Sequence, residues 1–424
     1  MNHTCRVCPM VSDNEKWGRI SALRPSGGAA PFSESSRRPD RLPELLDAEC
    51  RTNEAGSHLI VRKKFSEPKE PAFQPEMFRL LTSNPPSTIC DARKWLFLDT
   101  ETTGLAGGTG TYAFLIGIAW WDESGFCVEQ YFMRHPGEEK SMLLELAGRL
   151  GQDRVLVTFN GKSFDWPLLE TRYRLCRAGS AECPPIHLDL LYPSRQLWKM
   201  RLSSIALSEL ERHILALDRG PDIPAETIPA RYFQYLRTGI AEPLVEVFRH
   251  NQMDLCGLAA LSLKIARILE NPLGACGAEE LFGVSRMLQK AGESNSAEGF
   301  YLRALGKGLP REAGRIARRE LAGMARKRKD FDQANSLWQD LIGESPETIE
   351  AYEQLAIHCE HRSREIERAI VLTRQALVKL QDSMRAGMIS MSTYRHRHAA
   401  LQRRLSRLEE KKKIHKDTEA QRNS

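Results

Sequence analysis

The chain has 424 residues, of which 41% are hydrophobic and 27% charged, with a formal net charge of +6. No stretch reaches the ~18 consecutive apolar residues of a membrane helix, and charges interrupt the N-terminus, so we expect a cytoplasmic, globular protein without a membrane segment or secretory signal. Its ten scattered cysteines are typical of free thiols in a reducing compartment, and the mildly basic balance is compatible with nucleic acid as a partner.

The first segment, residues 1–92, is rich in Ser, Pro, Arg and Glu and shows little apolar periodicity. This composition predicts a largely disordered N-terminal arm. Within it, residues 42–46 and 73–81 are candidates for short helices. Cys5 and Cys8 form a C-x-x-C pair beside His3, but no second pair follows at zinc-finger spacing, so we do not predict a metal site there.

From residue 93 the pattern becomes that of an α/β domain, which we place at residues 93–270. Three apolar runs punctuated by Gly, Asp and Ser predict an antiparallel meander, and alternating helices and strands follow it. This order favours a mixed sheet flanked by helices over a doubly wound nucleotide-binding fold. The predicted strands are 95–99, 112–121, 126–133, 155–159 and 186–191, the predicted helices are 138–150, 166–176 and 243–269, and residues 198–240 form an insertion.

Residues 271–385 have the pattern of paired helices. Small and aromatic residues recur at a spacing of about 34, which is typical of tetratricopeptide (TPR) repeats that bind protein partners, and an ordinary helical bundle is the alternative. The positions are Ala297, Tyr301, Ala304, Leu321, Phe331, Ala334, Trp338, Pro346, Tyr352, Leu355 and Ala356.

The last segment, residues 386–424, contains a basic amphipathic helix over 394–416. Leu401, Leu405 and Leu408 share one face of this helix, and Arg and Lys residues occupy the rest. Such a helix can hold a phosphate backbone, and a solvated charged face explains the pattern equally well.

Two acids stand at the end of the first strand of the α/β domain. Asp99 and Glu101 follow the apolar run 95–98 and precede Thr102, Thr103 and Gly104. Two carboxylates this close to a buried strand repel each other and are costly to bury unpaired. Divalent cations resolve that conflict, so the segment predicts part of a metal site. A strand ending in a turn, with both acids in solvent, is the alternative.

Two further acids occur at comparable places. Asp165 follows the strand 155–159 through the turn 160–164 and begins the next helix. Asp254 lies in an apolar part of the helix 243–269, with His250 one turn earlier on the same face. An unpaired acid among apolar neighbours is expensive, so Asp254 is a third candidate for the metal site.

Together, Asp99-Thr-Glu-Thr-Thr-Gly, Phe159-Asn-Gly-Lys-Ser-Phe-Asp165 and His250-Asn-x-x-Asp254 resemble the DEDD superfamily of 3′–5′ exonucleases on the ribonuclease H-like fold. Within that superfamily the chain is most similar to the YprB-type ribonuclease H-like domain proteins. The resemblance implies a 3′–5′ exonuclease that hydrolyses phosphodiester bonds of DNA or RNA. It also implies that two Mg²⁺ or Mn²⁺ ions are bound by four carboxylates, which would be Asp99, Glu101, Asp165 and Asp254.

The chain departs from the superfamily pattern at His250. Members have a tyrosine four residues before the last Asp, or a histidine five residues before it, and this chain has a histidine at the tyrosine spacing. An imidazole can act as the base that activates water. Alternatively, His250 only supports Asp254.

Polar residues beside the acids are the predicted substrate contacts, although a turn needs no such role for them. They are Thr102, Thr103, Asn160, Lys162 and Ser163. The competing function is a catalytically silent nucleic-acid-binding or scaffold protein that recruits a protein partner through the repeats.

Overall fold

A computed structural model describes residues 40–71, 76–82, 87–104, 109–151, 153–179, 183–345 and 347–422. The C-x-x-C pair at Cys5 and Cys8 lies outside the described residues, as does the rest of segment 1–39. No disulfide joins the cysteines within the described ranges. None of the helices in these ranges is long and apolar enough to cross a membrane.

A seven-stranded mixed sheet forms the centre of the α/β domain. Its strand order is β1-β2-β5-β4-β3-β6-β7, antiparallel from β1 to β3 and parallel from β3 to β7. This confirms the predicted mixed sheet with flanking helices. The strands are β1 (Glu49–Asn53), β2 (Gly56–Phe65), β3 (Trp95–Thr102), β4 (Ala113–Asp122), β5 (Gly125–Phe132), β6 (Val155–Thr158) and β7 (Ile186–Asp189).

The prediction of a disordered arm is wrong for the described part of residues 1–92. A short helix, α1 (Leu42–Leu46), precedes β1 and β2, and β2 extends the sheet by pairing with β5 from Leu59 to Phe65. The apolar run of β2 is only three residues long, Leu59 to Val61, and all three are fully buried. That run is too short to stand out in a charged segment, and the sheet edge that buries it is supplied by distant residues.

Helices cover both faces of the sheet. α7 is the longest helix of the domain and contacts β3, β4 and β5. The predicted insertion contains α5, which continues as a π-helical turn (Glu211–Leu215), and α6. The helices of this part are α2 (Glu139–Ala147), α3 (Asp165–Cys176), α4 (Leu191–Trp198), α5 (Leu207–Leu210), α6 (Ile228–Thr238) and α7 (Glu242–Glu270).

The C-terminal region is helical, and its helices pack as sequential neighbours. The helix Ala278–Lys290 lies against α4. Gly283 allows close contact with the backbone of Gln196, and Trp198 donates a hydrogen bond to Glu280 at 2.9 Å. The TPR assignment of these helices stays a prediction. They are α8 (Pro272–Ala275), α9 (Ala278–Lys290), α10 (Ser294–Gly306), α11 (Arg311–Lys327), α12 (Phe331–Glu344), α13 (Ile349–His358), α14 (Ile366–Arg385) and α15 (Met391–Arg422).

Much of the positive charge of α15 is used inside the protein. Glu360, buried between α13 and α14, accepts hydrogen bonds from Arg404, Arg407 and Lys411 at 2.8–3.1 Å. Leu408 is fully buried on the same helix. These cations therefore attach α15 to the helical region, a role that neither sequence interpretation of the basic helix contained.

Candidate metal centre

The centre is built on a row of three residues across adjacent strands. Asp99 of β3 pairs with Gly117 of β4, which pairs with Gln130 of β5. Directly paired residues point to the same face of a sheet, so the row faces α7. Asp99 and Glu101 lie on this face because side chains alternate along β3.

Asn251 of α7 fits over this row. Its Nδ2 donates to Oδ2 of Asp99 at 2.7 Å, and its Oδ1 accepts from Nε2 of Gln130 at 2.8 Å. A Cβ on Gly117 would lie 2.1 Å from Oδ1 of Asn251, so only glycine leaves room for this amide. Asn251 and Gln130 are fully buried, and both therefore require these bonds. Together they fix one oxygen of Asp99 against α7.

Glu101, His250 and Asp254 converge at the end of β3. One ligand atom from each residue lies within 4.8 Å of the others. His250 and Asp254 reach the site from successive turns of α7, while Glu101 stands at an irregularity in the β3–β4 pairing, between Glu101 and Thr102. Bulges of this kind re-aim side chains next to functional sites.

The insertion supplies a cation to the same place. Nη2 of Arg219 is 2.5 Å from Oδ1 of Asp254 and donates to Oε1 of Glu211 at 2.6 Å. Arg219 also pairs with Asp222 at 3.2 Å. The loop that carries it is attached to α7 by Arg249, whose guanidinium donates to the carbonyls of Arg219 and Pro221.

A second glycine makes room for this ion pair. Gly257 lies on α7 three residues after Asp254, and a Cβ there would be 1.5 Å from Oε1 of Glu211. Glu211 can therefore approach the helix backbone while it holds Arg219. Its side chain is 2% exposed, and that of Arg219 is 9% exposed, so the pair is largely shielded from water.

Asp165 reaches the sheet from α3. Its Oδ1 accepts a hydrogen bond from Thr100 at 2.5 Å. Thr100 lies between Asp99 and Glu101 and points to the opposite face of β3. Burial raises the pKa of Asp165 to about 6, against the opposing effect of the Thr100 hydrogen bond. Asp165 is therefore close enough to affect the other acids, but it is not part of the Glu101, His250 and Asp254 group.

The turn that leads to Asp165 is held by Asp189. Its carboxylate accepts from the backbone N–H of Asn160 at 2.8 Å and of Lys162 at 3.1 Å. Asn160 has a positive φ of 65°, and a Cβ on Gly161 would lie only 2.5 Å from Cβ of Thr158, so this position requires glycine. These contacts hold the turn at the ends of β6 and β7, and α3 begins directly after it.

The electrostatics of the centre favour a cation. Burial, and then repulsion from Asp254, Glu101 and Asp165, raises the pKa of Asp99 well above its usual range. Burial and repulsion from Asp254 and Asp165 do the same for Glu101. Carboxylate oxygens are the ligands that Mg²⁺ and Mn²⁺ prefer. The donor set therefore fits a divalent metal ion, which would offset the repulsion among the acids.

The five predicted substrate contacts separate into two groups. Thr102 is buried and donates to the carbonyl of Gly104, and the Thr103 hydroxyl accepts from the Tyr112 N–H, so both stabilise the turn after β3. The other three, Asn160, Lys162 and Ser163, are exposed. Part of the glycine-rich run that follows Gly104 lies outside the described residues.

Sequence reasoning missed Arg219, Asp222, Glu211 and the role of Asn251. The first two belong to the run Asp-Arg-Gly-Pro-Asp at 218–222, where charges flanked by glycine and proline were the available signal of a structured loop. Nothing in the local pattern indicated that this loop meets α7.

Two comparisons with known proteins agree with this geometry. The model of a family described as the RNase_H superfamily matches residues 96–266, from β3 into α7, and so contains every predicted ligand. The chain is also similar to a protein of Bacillus subtilis (strain 168) described as uncharacterized protein YprB. The identity is 30% over 285 residues, which cover 66% of this chain and 68% of the Bacillus protein.

Proposed function

This chain belongs to the ribonuclease H superfamily, in the family of YprB-type proteins, and from this premise we propose that it is a metal-dependent 3′–5′ exonuclease. Its substrate is the phosphodiester backbone of DNA or RNA. The observation that carries the proposal is the convergence of Asp99, Glu101 and Asp254 at the α7 face of β3, with Asp165 joined to the same strand through Thr100.

In this proposal the four carboxylates hold the divalent ions. When bound, two such ions polarise the scissile phosphate and favour attack by water. Asn251 keeps one oxygen of Asp99 on α7 and leaves the other for the centre. Arg219 holds Asp254 in place, and its charge offsets part of the repulsion among the acids.

The first experiment measures digestion of end-labelled single-stranded DNA and RNA with Mn²⁺ or Mg²⁺. We expect Asp99→Asn to lower the rate by ~10²–10⁴, since several kcal/mol of transition-state stabilisation depend on the metal. Asp153→Asn is the matched control, because Asp153 is an exposed acid whose partner is Lys94. Equal activity of Asp99→Asn and wild type would overturn the site assignment.

A second substrate tests the exonuclease assignment. A circular single strand of the same sequence has no 3′ end, so we expect it to survive while the linear strand is degraded stepwise. Cleavage of the circle at a comparable rate would show an endonuclease and refute the finer proposal.

One observation favours the second candidate, a catalytically silent nucleic-acid-binding or scaffold protein. Asp254 already has a cationic partner in Arg219, so part of the acidic charge is neutralised without a metal ion. Against it, Arg219 pairs with only one of the four predicted ligands, Asp254, and all four acids are present. Failure of both polymers to be hydrolysed, with intact binding, would favour this candidate.

A further inference from the structure

His250 stands between two carboxylates. Its Nδ1 is 2.8 Å from Oδ1 of Asp222, and its Nε2 is 3.5 Å from Oδ2 of Asp254. An ionised carboxylate only accepts hydrogen bonds, so Nδ1 carries the proton and donates it to Asp222. The lone pair of the neutral ring is then on Nε2. That nitrogen faces the acidic cluster.

The two oxygens of Asp254 have different surroundings. Oδ1 is held by Arg219 at 2.5 Å, whereas Oδ2 is the atom that faces Nε2 of His250. Arg219 is itself fixed by Glu211, which occupies the space above Gly257. The ion pair with Arg219 therefore leaves Oδ2 of Asp254 available and orients this oxygen toward His250.

The third member of the group is Glu101. Within the described residues, the Glu101 side chain makes no hydrogen bond or ion pair, although its carboxylate is within 4.8 Å of the ligand atoms of His250 and Asp254. Apart from His250, its polar neighbours are further acids, Asp165 and Asp222 among them, which repel it. A divalent cation bound among these groups would offset that repulsion.

We propose that Glu101, Nε2 of His250 and Oδ2 of Asp254 form a mixed nitrogen and oxygen site for a first-row transition-metal ion such as Mn²⁺. This inference rests on the proposed metal-dependent function and assigns His250 as a ligand rather than as the base. Asp222 is then the outer carboxylate that fixes the ring, an arrangement typical of metal-ligating histidines. The insertion thus completes the site from outside α7.

An imidazole ligand changes which ions the site prefers. An imidazole nitrogen is a better ligand for a first-row transition ion such as Mn²⁺ than for Mg²⁺, which is a harder ion and prefers oxygen ligands alone. His250→Ala should therefore weaken binding of Mn²⁺ more than binding of Mg²⁺, measured by isothermal titration on the full chain. Asp222→Asn should weaken Mn²⁺ binding by ~10–100-fold, the usual effect of losing an outer partner of a ligating histidine.

Asp218→Asn is the matched control for Asp222→Asn. It removes the same charge from the same loop, but Asp218 is exposed and accepts only a local hydrogen bond from Gly220 among its described contacts. A similar loss of Mn²⁺ affinity in both variants would mean that charge alone is responsible, and would overturn the assignment of Asp222.

Electron spin-echo spectroscopy of the Mn²⁺-loaded protein tests the ligand directly, without relying on activity. We expect modulation from a directly bound ¹⁴N nucleus. His250→Ala at saturating Mn²⁺ should abolish it, and His213→Ala should retain it, since His213 is on the same insertion but pairs with Glu209.

The outcomes separate this inference from the proposed function. Bound Mn²⁺ without ¹⁴N modulation would refute His250 as a ligand and leave an all-carboxylate nuclease intact. Modulation that persists in His250→Ala would refute it equally. Failure of the wild-type chain to bind either Mn²⁺ or Mg²⁺ would refute the metal-dependent function itself.

Discussion

Gly117→Ala tests the row beneath the metal centre without touching any predicted ligand. A Cβ at this position would lie 2.1 Å from Oδ1 of Asn251 and 2.8 Å from Cδ1 of Leu255. β4 cannot move away, because it is paired on both sides with β3 and β5. Asn251 must therefore rotate or α7 must shift, and either movement breaks the bonds to Asp99 and Gln130.

The expected cost combines two terms. Overpacking a well-packed core costs ~1–3 kcal/mol, and the lost hydrogen bond to a carboxylate a further ~1.5–3 kcal/mol. The alanine recovers roughly 0.5–1 kcal/mol of backbone entropy in the strand. We therefore expect the free energy of unfolding to fall by about 1.5–5.5 kcal/mol.

Urea titration of the metal-free protein in EDTA, followed by tryptophan fluorescence, measures this change. Trp95 and Trp121 report on it, since both are buried in the core that contains Leu255. Gly323→Ala is the control, because a Cβ there meets no atom within 4 Å and the helix gains up to ~1 kcal/mol. A loss below about 1 kcal/mol in Gly117→Ala would refute the packing argument.

A double variant identifies the cause of the loss. Asn251→Ser removes the oxygen that collides with the new Cβ. If that collision dominates, Gly117→Ala with Asn251→Ser should cost less than the sum of the two single changes by about 1–2 kcal/mol. Strict additivity would show that Asn251 is not the residue displaced.

Three further predictions concern other parts of the molecule. Gly257→Ala should displace Glu211 and lower the melting temperature, whereas Gly299→Ala, in open space on α10, should be neutral or stabilising; equal effects would contradict the role of Gly257. Burial alone would raise the pKa of Glu360, but hydrogen bonds from the α15 cations hold that pKa at about 2. The ionised carboxylate therefore adds about 3 kcal/mol to the free energy of unfolding at a pH above its ordinary pKa, and this contribution is lost as the pH falls toward 2. In urea titrations Glu360→Gln should lower stability by that amount at pH 7 and converge with wild type near pH 2; a constant difference would contradict this. Burial lowers the pKa of His187 from 6.5 to about 4. The contribution of the neutral ring to protein stability is therefore fully present above pH 6.5 and is lost as the pH falls toward 4. His187→Gln should remove that part of the pH dependence, and parallel titration curves would contradict it.

Local patterns were sufficient for the elements that carry the acids. The predicted helix 243–269 is Glu242–Glu270 in the structure, and the predicted strand 95–99 is the first part of Trp95–Thr102. The helix shows a clear apolar period and the strand a continuous apolar run, and burial enforces each pattern whatever the partner. Asp99 and Glu101 were predicted to stand at the end of this strand, and both lie in β3.

Other features depend on contacts between distant residues. The sequence of β2 has the composition of a charged arm, and only its pairing with β5 shows that it is a strand of the sheet. The cations of α15 read as a surface charge run until buried Glu360 is seen among them. In both cases the partner lies far away in sequence, so no local period records the contact.

The sequence by itself determined which acids the proposed metal centre uses, because carboxylates at the end of a buried strand and in an apolar part of a helix repel one another, and a cation offsets that repulsion. Only the tertiary structure decided how the centre is completed. It brings Arg219 and Asp222 of the insertion to Asp254 and His250 of α7. The physical reason is that a loop has no periodicity, so its charges acquire partners only when the chain folds back on itself.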